Sequence, residues 1–242
     1  MRFNDCKVIL FLLFVALAFP DAVRSQTDGL GNKNQSLVDT LAYIYGSSEL
    51  LVNGPMYYQN HRMANGTPFL RDQKFVRGEV FIAGRQFSGL QINYDISRQI
   101  LVLLVSTQQS KLIVSLSDKL IDSLYISNEL FVNARYIDES GFPYLHVISD
   151  GTYQMYIGYE KQFINRYNDD DPHGRYSSSQ KTIFIKKDGG LISVKSNGSF
   201  LSQFPMHRNE IKSYLKSNKL KLLKASPTEL SKLMKFCNKL VN

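Results

Sequence analysis

The chain has 242 residues, of which 43% are hydrophobic and 21% charged, and 29 Lys and Arg oppose 21 Asp and Glu for a net charge of +8. This is the composition of an ordinary globular protein, which excludes collagen-like, coiled-coil and wholly disordered chains. The sequence carries no catalytic signature, so its organisation is more informative than its motifs.

The first 25 residues have the pattern of a secretory signal peptide. Arg2 and Lys7 precede an uncharged run over residues 8–20, which is too short to cross a hydrocarbon core about 30 Å thick as a helix. We expect cleavage after Ser25; an uncleaved N-terminal anchor is the alternative. The mature protein is therefore expected to be exported, periplasmic or extracellular, with no transmembrane span.

The mature chain is expected to form one domain. Cleavage removes Cys6 and leaves Cys237 as the only cysteine, so no internal disulfide is expected. Residues 26–36 are polar and predict a flexible leader, and residues 37–52 have the spacing of a helix or an opening strand. We expect residues 37–242 to form a single β-rich domain that ends in a helical segment from about residue 206.

From residue 77 onward the apolar residues follow the period of short β-strands. Turns with Gly, Asn, Asp or Ser separate these strands, and the turns are expected at residues 83–86, 95–98, 108–110, 127–129, 149–152 and 187–190. A strand and its turn take about 10 residues, which is typical of antiparallel meanders. The fold class is predicted to be α+β, with an antiparallel meander or partly closed barrel before two C-terminal helices.

The final helix has a clear start signal. Ser226 is a cap residue, Pro227 suits the first helical position, and Glu229 adds an acid to the first turn. Apolar residues then recur every three or four positions, and Cys237 lies among them. A small buried residue is expected there, so we do not interpret Cys237 as a nucleophile.

Most of the positive charge lies at the C-terminus. From Glu210 onward, eight lysines oppose two glutamates, and such a surface attracts anionic polymers or lipid headgroups. The alternative is a solvated helix face. Export argues against nucleic acid and leaves lipid or glycan as anionic partners. The candidate contacts are Lys212, Lys216, Lys219, Lys232, Lys235 and Lys239.

Tyrosines and phenylalanines are numerous, at 14 and 15, and tryptophan is absent. Tyrosine offers a flat apolar face with a polar tip, as a ligand groove requires, although cross-strand pairing is an equally good interpretation. The sequence shows no phosphate-binding loop or dinucleotide fingerprint, and no cofactor is expected. The candidate ligand-binding residues are Tyr57, Tyr58, Tyr153, Tyr156 and Tyr159.

A polar segment over residues 165–180 is predicted to be a long exposed loop. It contains Asp169, Asp170, Asp171 and His173, which together offer metal ligands. The spacing of an EF-hand is missing, so a solvated loop is the alternative to a metal site.

One segment resembles a pattern in uncharacterised exported proteins of Bacteroidota. Glycines and aromatic residues set the likeness, at Gly78, Val80, Gly84, Phe87, Asn93, Tyr94 and Asp95, followed by the apolar residues 100–103. The end of the chain, residues 211–221 with the capped last helix, is similar to the end of those proteins. The resemblance implies a bacterial envelope location and no known activity.

These features support three hypotheses. The first is a non-enzymatic envelope protein that binds a ligand, lipid, glycan or another protein. The second is a hydrolase whose site assembles only in the fold, with His146, His173 and Asp169 to Asp171 as candidates. The third is adhesion to anionic surfaces through the basic helices. Three glycosylation sequons, at Asn34, Asn65 and Asn197, matter only in a host that glycosylates exported proteins.

Overall fold

The computed structural model describes residues 51, 54–71, 75–106, 111–187 and 189–241. The predicted signal peptide, the leader and nearly all of the segment 37–52 lie outside these residues. The strands are β1 Val76–Ile82, β2 Arg85–Asp95, β3 Ile100–Ser106, β4 Lys111–Leu116, β5 Ile121–Ile126, β6 Glu129–Asn133, β7 Tyr144–Asp150, β8 Gln154–Glu160, β9 Phe163–Ile164, β10 Arg175–Tyr176, β11 Gln180–Lys187 and β12 Gly190–Val194. The α-helices are α1 Asn197–Leu201, α2 Arg208–Ser217 and α3 Pro227–Val241.

Ten strands form one antiparallel sheet in the order β12-β11-β8-β7-β6-β5-β1-β2-β3-β4. The sheet is open, and among the described residues its edges are β4 and β12. The short strands β9 and β10 pair separately as a two-stranded ribbon. The prediction of an antiparallel β-rich fold followed by C-terminal helices is confirmed, in its open rather than its barrel form.

The half of the sheet from β4 to β5 must be strongly curved. Strand β5 pairs with β1, so β3, β2 and β1 lie between β4 and β5 in the sheet. Four inter-strand steps of about 4.8 Å would therefore separate β4 from β5 by about 19 Å in a flat sheet. Residues 117–120 connect the two strands, and that link reaches at most about 18 Å when fully extended. The curved strands enclose a buried cluster that runs from Val80 through Leu103 to Phe131 and Tyr144.

The other half of the sheet is a layered structure. Alternate residues of β7, β8, β11 and β12 pack against the helices, including Ile148, Ile157 and Ile185. On the opposite face, Tyr156 and Phe184 are covered by Phe142 and its neighbours. The helices therefore lie on one face only, and their outer sides remain available to solvent.

Two of the hairpin turns are tighter than the sequence suggests. Ala83 and Gly84 have φ values of 48° and 75°, and Ser127 and Asn128 have 52° and 67°. Positive φ at both central residues is the type I′ turn, whose twist matches the flanking strands. Strands β2 and β6 therefore begin at Arg85 and Glu129, inside the predicted turns at 83–86 and 127–129.

Two elements differ from the sequence prediction. The short helix α1 was not expected; Ser196 caps it and exchanges hydrogen bonds with Ser199 in a capping box. The segment 165–180 is not a loop throughout, because Arg175 and Tyr176 form β10 and pair with β9. The prediction failed here because two-residue strands carry no hydrophobic period.

Candidate anion-binding surface

The six predicted anion contacts are all exposed in the structure. The same is true of Lys221 and Lys224, which lie on the link between α2 and α3. Eight ammonium groups therefore reach solvent from one helical layer. The exposed set is Lys212, Lys216, Lys219, Lys221, Lys224, Lys232, Lys235 and Lys239.

The apolar faces of the two helices fix this exposure. In α3 the buried residues are Leu230, Leu233, Met234 and Cys237. At 100° per residue, Lys232, Lys235 and Lys239 fall on the opposite side of the helix. Burial of the apolar side chains against the sheet thus turns the lysines outward.

The helices are also held against each other. Tyr214 of α2 stacks on Phe236 of α3, with ring centroids 4.5 Å apart. The cap of α3 forms as predicted: Glu229 accepts hydrogen bonds from the backbone N–H of Ser226 at 2.7 Å and from its hydroxyl at 2.8 Å. These bonds lower the pKa of Glu229, and they commit its carboxylate to the cap.

None of the eight lysines of this layer belongs to an ion pair among the residues that the structure describes. The pairs found there all use arginine, and they are Arg71–Glu129, Arg98–Asp95, Arg135–Asp122 and Arg175–Asp171. The ammonium groups of the helical layer therefore make no direct contact with carboxylates of the described chain.

A cleft of about 490 Å³ lies where the first two turns of α3 approach the sheet. Lys232 and Lys235 border it from the helix, while His146 and Asp150 border it from β7 and Glu129 from the start of β6. Two residues of the basic surface and one candidate of the hydrolase hypothesis thus share one cleft. The sequence could not show this, because more than 75 residues separate β7 from α3.

His146 is almost fully buried, with 4% of its surface exposed. Its ring stacks on Phe131 at 4.8 Å, and its Nδ1 lies 3.1 Å from the hydroxyl of Tyr159. Burial, with a contribution from the charge of Arg71, lowers the pKa of His146 to about 4. The imidazole is therefore neutral at neutral pH.

The described histidines do not provide the geometry that the hydrolase hypothesis requires. His146 contacts a tyrosine and not a carboxylate, and Glu129 is engaged by Arg71. His61 stacks on Phe163 with ring centroids 3.5 Å apart. No histidine within the described ranges has a carboxylate as hydrogen-bond partner.

The five tyrosines proposed as ligand contacts do not line one groove. Tyr153 stacks near Phe204, and Tyr159 lies beside His146, whereas Tyr156 faces the opposite side of the sheet. Tyr57 is buried beside Asp95, and Tyr58 is exposed. None of the five lines the cleft described above, although Tyr159 contacts His146, which does.

Tyr57 instead belongs to a buried polar network that the sequence analysis missed. Its hydroxyl donates to Asp95 at 2.8 Å, and Arg98 donates to the same carboxylate at 2.9 Å. The guanidinium also lies 4.4 Å from the centre of the Tyr57 ring. Burial and Asp95 raise the pKa of Tyr57. The network connects the segment before β1 to the β2–β3 turn. In the sequence, the only local indication of this network is the presence of Asp95 and Arg98 in one predicted turn.

The acidic loop is organised by hydrogen bonds. Asn65 donates from its amide nitrogen to the carbonyl of Asp170 and to the carboxylate of Asp171, both at 2.7 Å. Asp171 also pairs with Arg175, while His173 lies in a separate surface cleft with His61. No group of three or more His, Cys, Asp or Glu side chains within the described residues could hold a metal ion.

Two other residues singled out from the sequence have structural roles. The amide of Asn197 donates to Leu220 O and accepts from Leu222 N, both at 3.0 Å, which ties α1 to the link between α2 and α3. Cys237 is fully buried, and burial raises the pKa of its thiol to about 12. Such a thiol stays protonated, as a packing role requires.

Neither a family model, nor a curated protein, nor a solved structure matches this chain. Within the described residues, no helix has the length and hydropathy that a bilayer crossing requires.

Proposed function

We propose that this chain is an exported, non-enzymatic binding protein that attaches to anionic lipid surfaces through α2, α3 and the link between them. Its signal-like N-terminus supports export to the bacterial envelope, where anionic headgroups are abundant partners. This is the third hypothesis of the sequence analysis, adhesion to anionic surfaces through the basic helices, with lipid as the partner.

The observation that carries the proposal is the unpaired lysine layer. Eight exposed lysines lie on α2, α3 and the link between them, and none belongs to an ion pair among the described residues. Each basic side chain close to an anionic membrane contributes about 1 kcal/mol to binding. Three or four lysines in contact are therefore enough for measurable attachment.

Exposed apolar side chains in the same layer favour lipid over acidic glycan. Met206, just before α2, is 88% exposed, and Leu223 is 48% exposed between Lys221 and Lys224. An apolar side chain flanked by basic residues is typical of helices that bind the membrane interface. A glycan chain offers no apolar phase for such groups.

The test is binding of the protein to vesicles of phosphatidylcholine with and without phosphatidylglycerol, at increasing salt. We expect binding only to the anionic vesicles, with a loss at high salt because the charges lie at the surface. Replacement of Lys232, Lys235 and Lys239 by Gln should remove about 3 kcal/mol, which weakens binding by about 100-fold.

The matched control replaces Lys111, Lys119 and Arg77, which are exposed on the other half of the sheet, by Gln. It makes the same change in net charge and should leave vesicle binding nearly unchanged. Equal weakening by the two triple variants would show a non-specific charge effect and contradict the proposal. Equal binding to both kinds of vesicle would also contradict it.

The apolar contribution has its own control. Met206→Ser and Leu223→Ser should weaken vesicle binding but leave binding to heparin, a soluble polyanion, unchanged. Met63 is 71% exposed and precedes β1, so Met63→Ser should affect neither. If the Met206 and Leu223 variants bind vesicles like the unaltered chain, acidic glycan replaces lipid as the better partner.

A further inference from the structure

The cleft between α3 and the sheet has features that the lysine layer alone does not explain. A broad anionic surface needs only exposed charge, whereas this cleft also reaches a buried, rigidly held imidazole. Buried polar side chains that border an open cleft are typical of specific ligand sites. The question is which chemical class of ligand the polar groups would select.

The hydrogen-bond partner of His146 sets its role. Burial raises the pKa of Tyr159 to about 12, so its phenol keeps its proton and can donate to Nδ1 of His146 at 3.1 Å. A neutral imidazole that accepts at Nδ1 carries its proton on Nε2. No partner for Nε2 is found among the described residues. In the tautomer that accepts from Tyr159, His146 offers a fixed, neutral N–H donor beside the cleft.

The charges around the cleft favour an anion. Lys232 and Lys235 border it without ion-pair partners, and Thr228 adds a hydroxyl from the first turn of α3. Of the two carboxylates at the cleft, Glu129 is paired with Arg71. Asp150 is the remaining acid, so two free ammonium groups oppose one free carboxylate.

We propose that this cleft binds a phosphate group, as a monoester or diester, with Nε2–H of His146 and the ammonium groups of Lys232 and Lys235 as donors. Phosphate oxygens accept several charge-assisted hydrogen bonds at once, which suits this donor set. The group could come from a lipid headgroup or from a soluble phosphate ester. Only the lipid source rests on the proposed function, because a soluble ester needs no membrane.

The test is an NMR titration of the imidazole resonances of the full mature chain. The probes are glycerol 3-phosphate and, at matched ionic strength, sodium chloride. We expect a saturable shift of the His146 resonances with the phosphate ester and none with chloride. Equal shifts with both salts, or no shift with either, would overturn the proposal.

Two lysine pairs provide matched variants. Lys232→Gln with Lys235→Gln removes the cleft donors, and should weaken glycerol 3-phosphate binding at least tenfold. Lys212→Gln with Lys216→Gln makes the same charge change on α2, and should leave that binding unchanged. Equal weakening of glycerol 3-phosphate binding by both double variants would indicate general charge attraction and would refute the site. Because His146 itself is left intact, this comparison does not depend on whether a His146 variant folds.

A third arm separates the two sources of phosphate. Micelles of short-chain phosphatidylglycerol should shift His146 as glycerol 3-phosphate does if a headgroup enters the cleft. A shift with the soluble ester but not with micelles supports the site and excludes the lipid source. Vesicle binding without any phosphate-specific shift at His146 refutes the cleft site and leaves the proposed membrane function standing.

Discussion

The burial of His146 predicts that the stability of the fold depends on pH in a defined window. In the unfolded chain a histidine has its ordinary pKa of about 6.5, whereas in the folded chain the pKa is lowered to about 4. Between these values the unfolded state binds a proton that the folded state does not, so stability decreases as pH falls. The lowering of the His146 pKa by about 2.5 corresponds to about 3 kcal/mol of folding stability. This contribution is fully present above pH 6.5 and is lost as the pH falls towards 4.

The assay is urea unfolding of the unaltered chain and of His146→Gln at a series of pH values. Gln does not ionise, so the pH dependence that the two proteins share belongs to other groups. The unaltered chain should lose about 2 kcal/mol more than the variant between pH 7 and pH 5. Parallel stability curves over this window would refute the assignment of a buried, neutral imidazole, whatever the stability of the variant at neutral pH.

Three further predictions concern packing and the buried polar network, and urea unfolding at pH 7 checks each. Asp95→Asn should cost about 3 kcal/mol because it breaks the ion pair between Arg98 and a buried carboxylate. Tyr57→Phe removes one hydrogen bond to that carboxylate and should cost about 2 kcal/mol. A larger loss in Tyr57→Phe than in Asp95→Asn would contradict this ranking. Asn197→Ala should cost about 2 kcal/mol through its two lost hydrogen bonds, and an unchanged midpoint would show that α1 needs no such tie. Gly158→Ala should cost about 2 kcal/mol by overpacking, since a Cβ there would lie 2.5 Å from the Phe142 ring. The double variant Gly158→Ala with Phe142→Ala should lose less stability than the sum of the losses in the two single variants.

The parts of the fold that the sequence predicts well are those encoded within a few residues. The cap of α3 at Ser226 and the positions of the hairpin strands follow from turn and cap chemistry that acts over two to four positions. The exposure of the basic residues also follows locally, because the apolar period of a helix determines which side chains remain outside.

The candidate cleft could not be predicted, because its residues meet only through long-range pairing. Strand β5 pairs with β1 and not with β4, and no local pattern specifies that choice. Arg71 meets Glu129 across 58 positions, and His146 meets the lysines of α3 only after the helices fold back onto the sheet. Single residues were visible in the sequence, but their proximity was not.

The packing of α2 and α3 keeps basic side chains close together, and their repulsion reduces the stability of the helices. Four pairs of basic residues lie three or four positions apart within these helices, beginning with Arg208 and Lys212 and ending with Lys235 and Lys239. Like charges at that spacing destabilise a helix by about 0.2–0.5 kcal/mol each, or about 1–2 kcal/mol in all. Only unwinding of α3 would separate its lysines, and that would expose Leu230 and Leu233 at about 1.5–3 kcal/mol each. The buried face therefore holds the lysines in a repulsive arrangement, and an anion that binds them relieves the repulsion without any change in the fold.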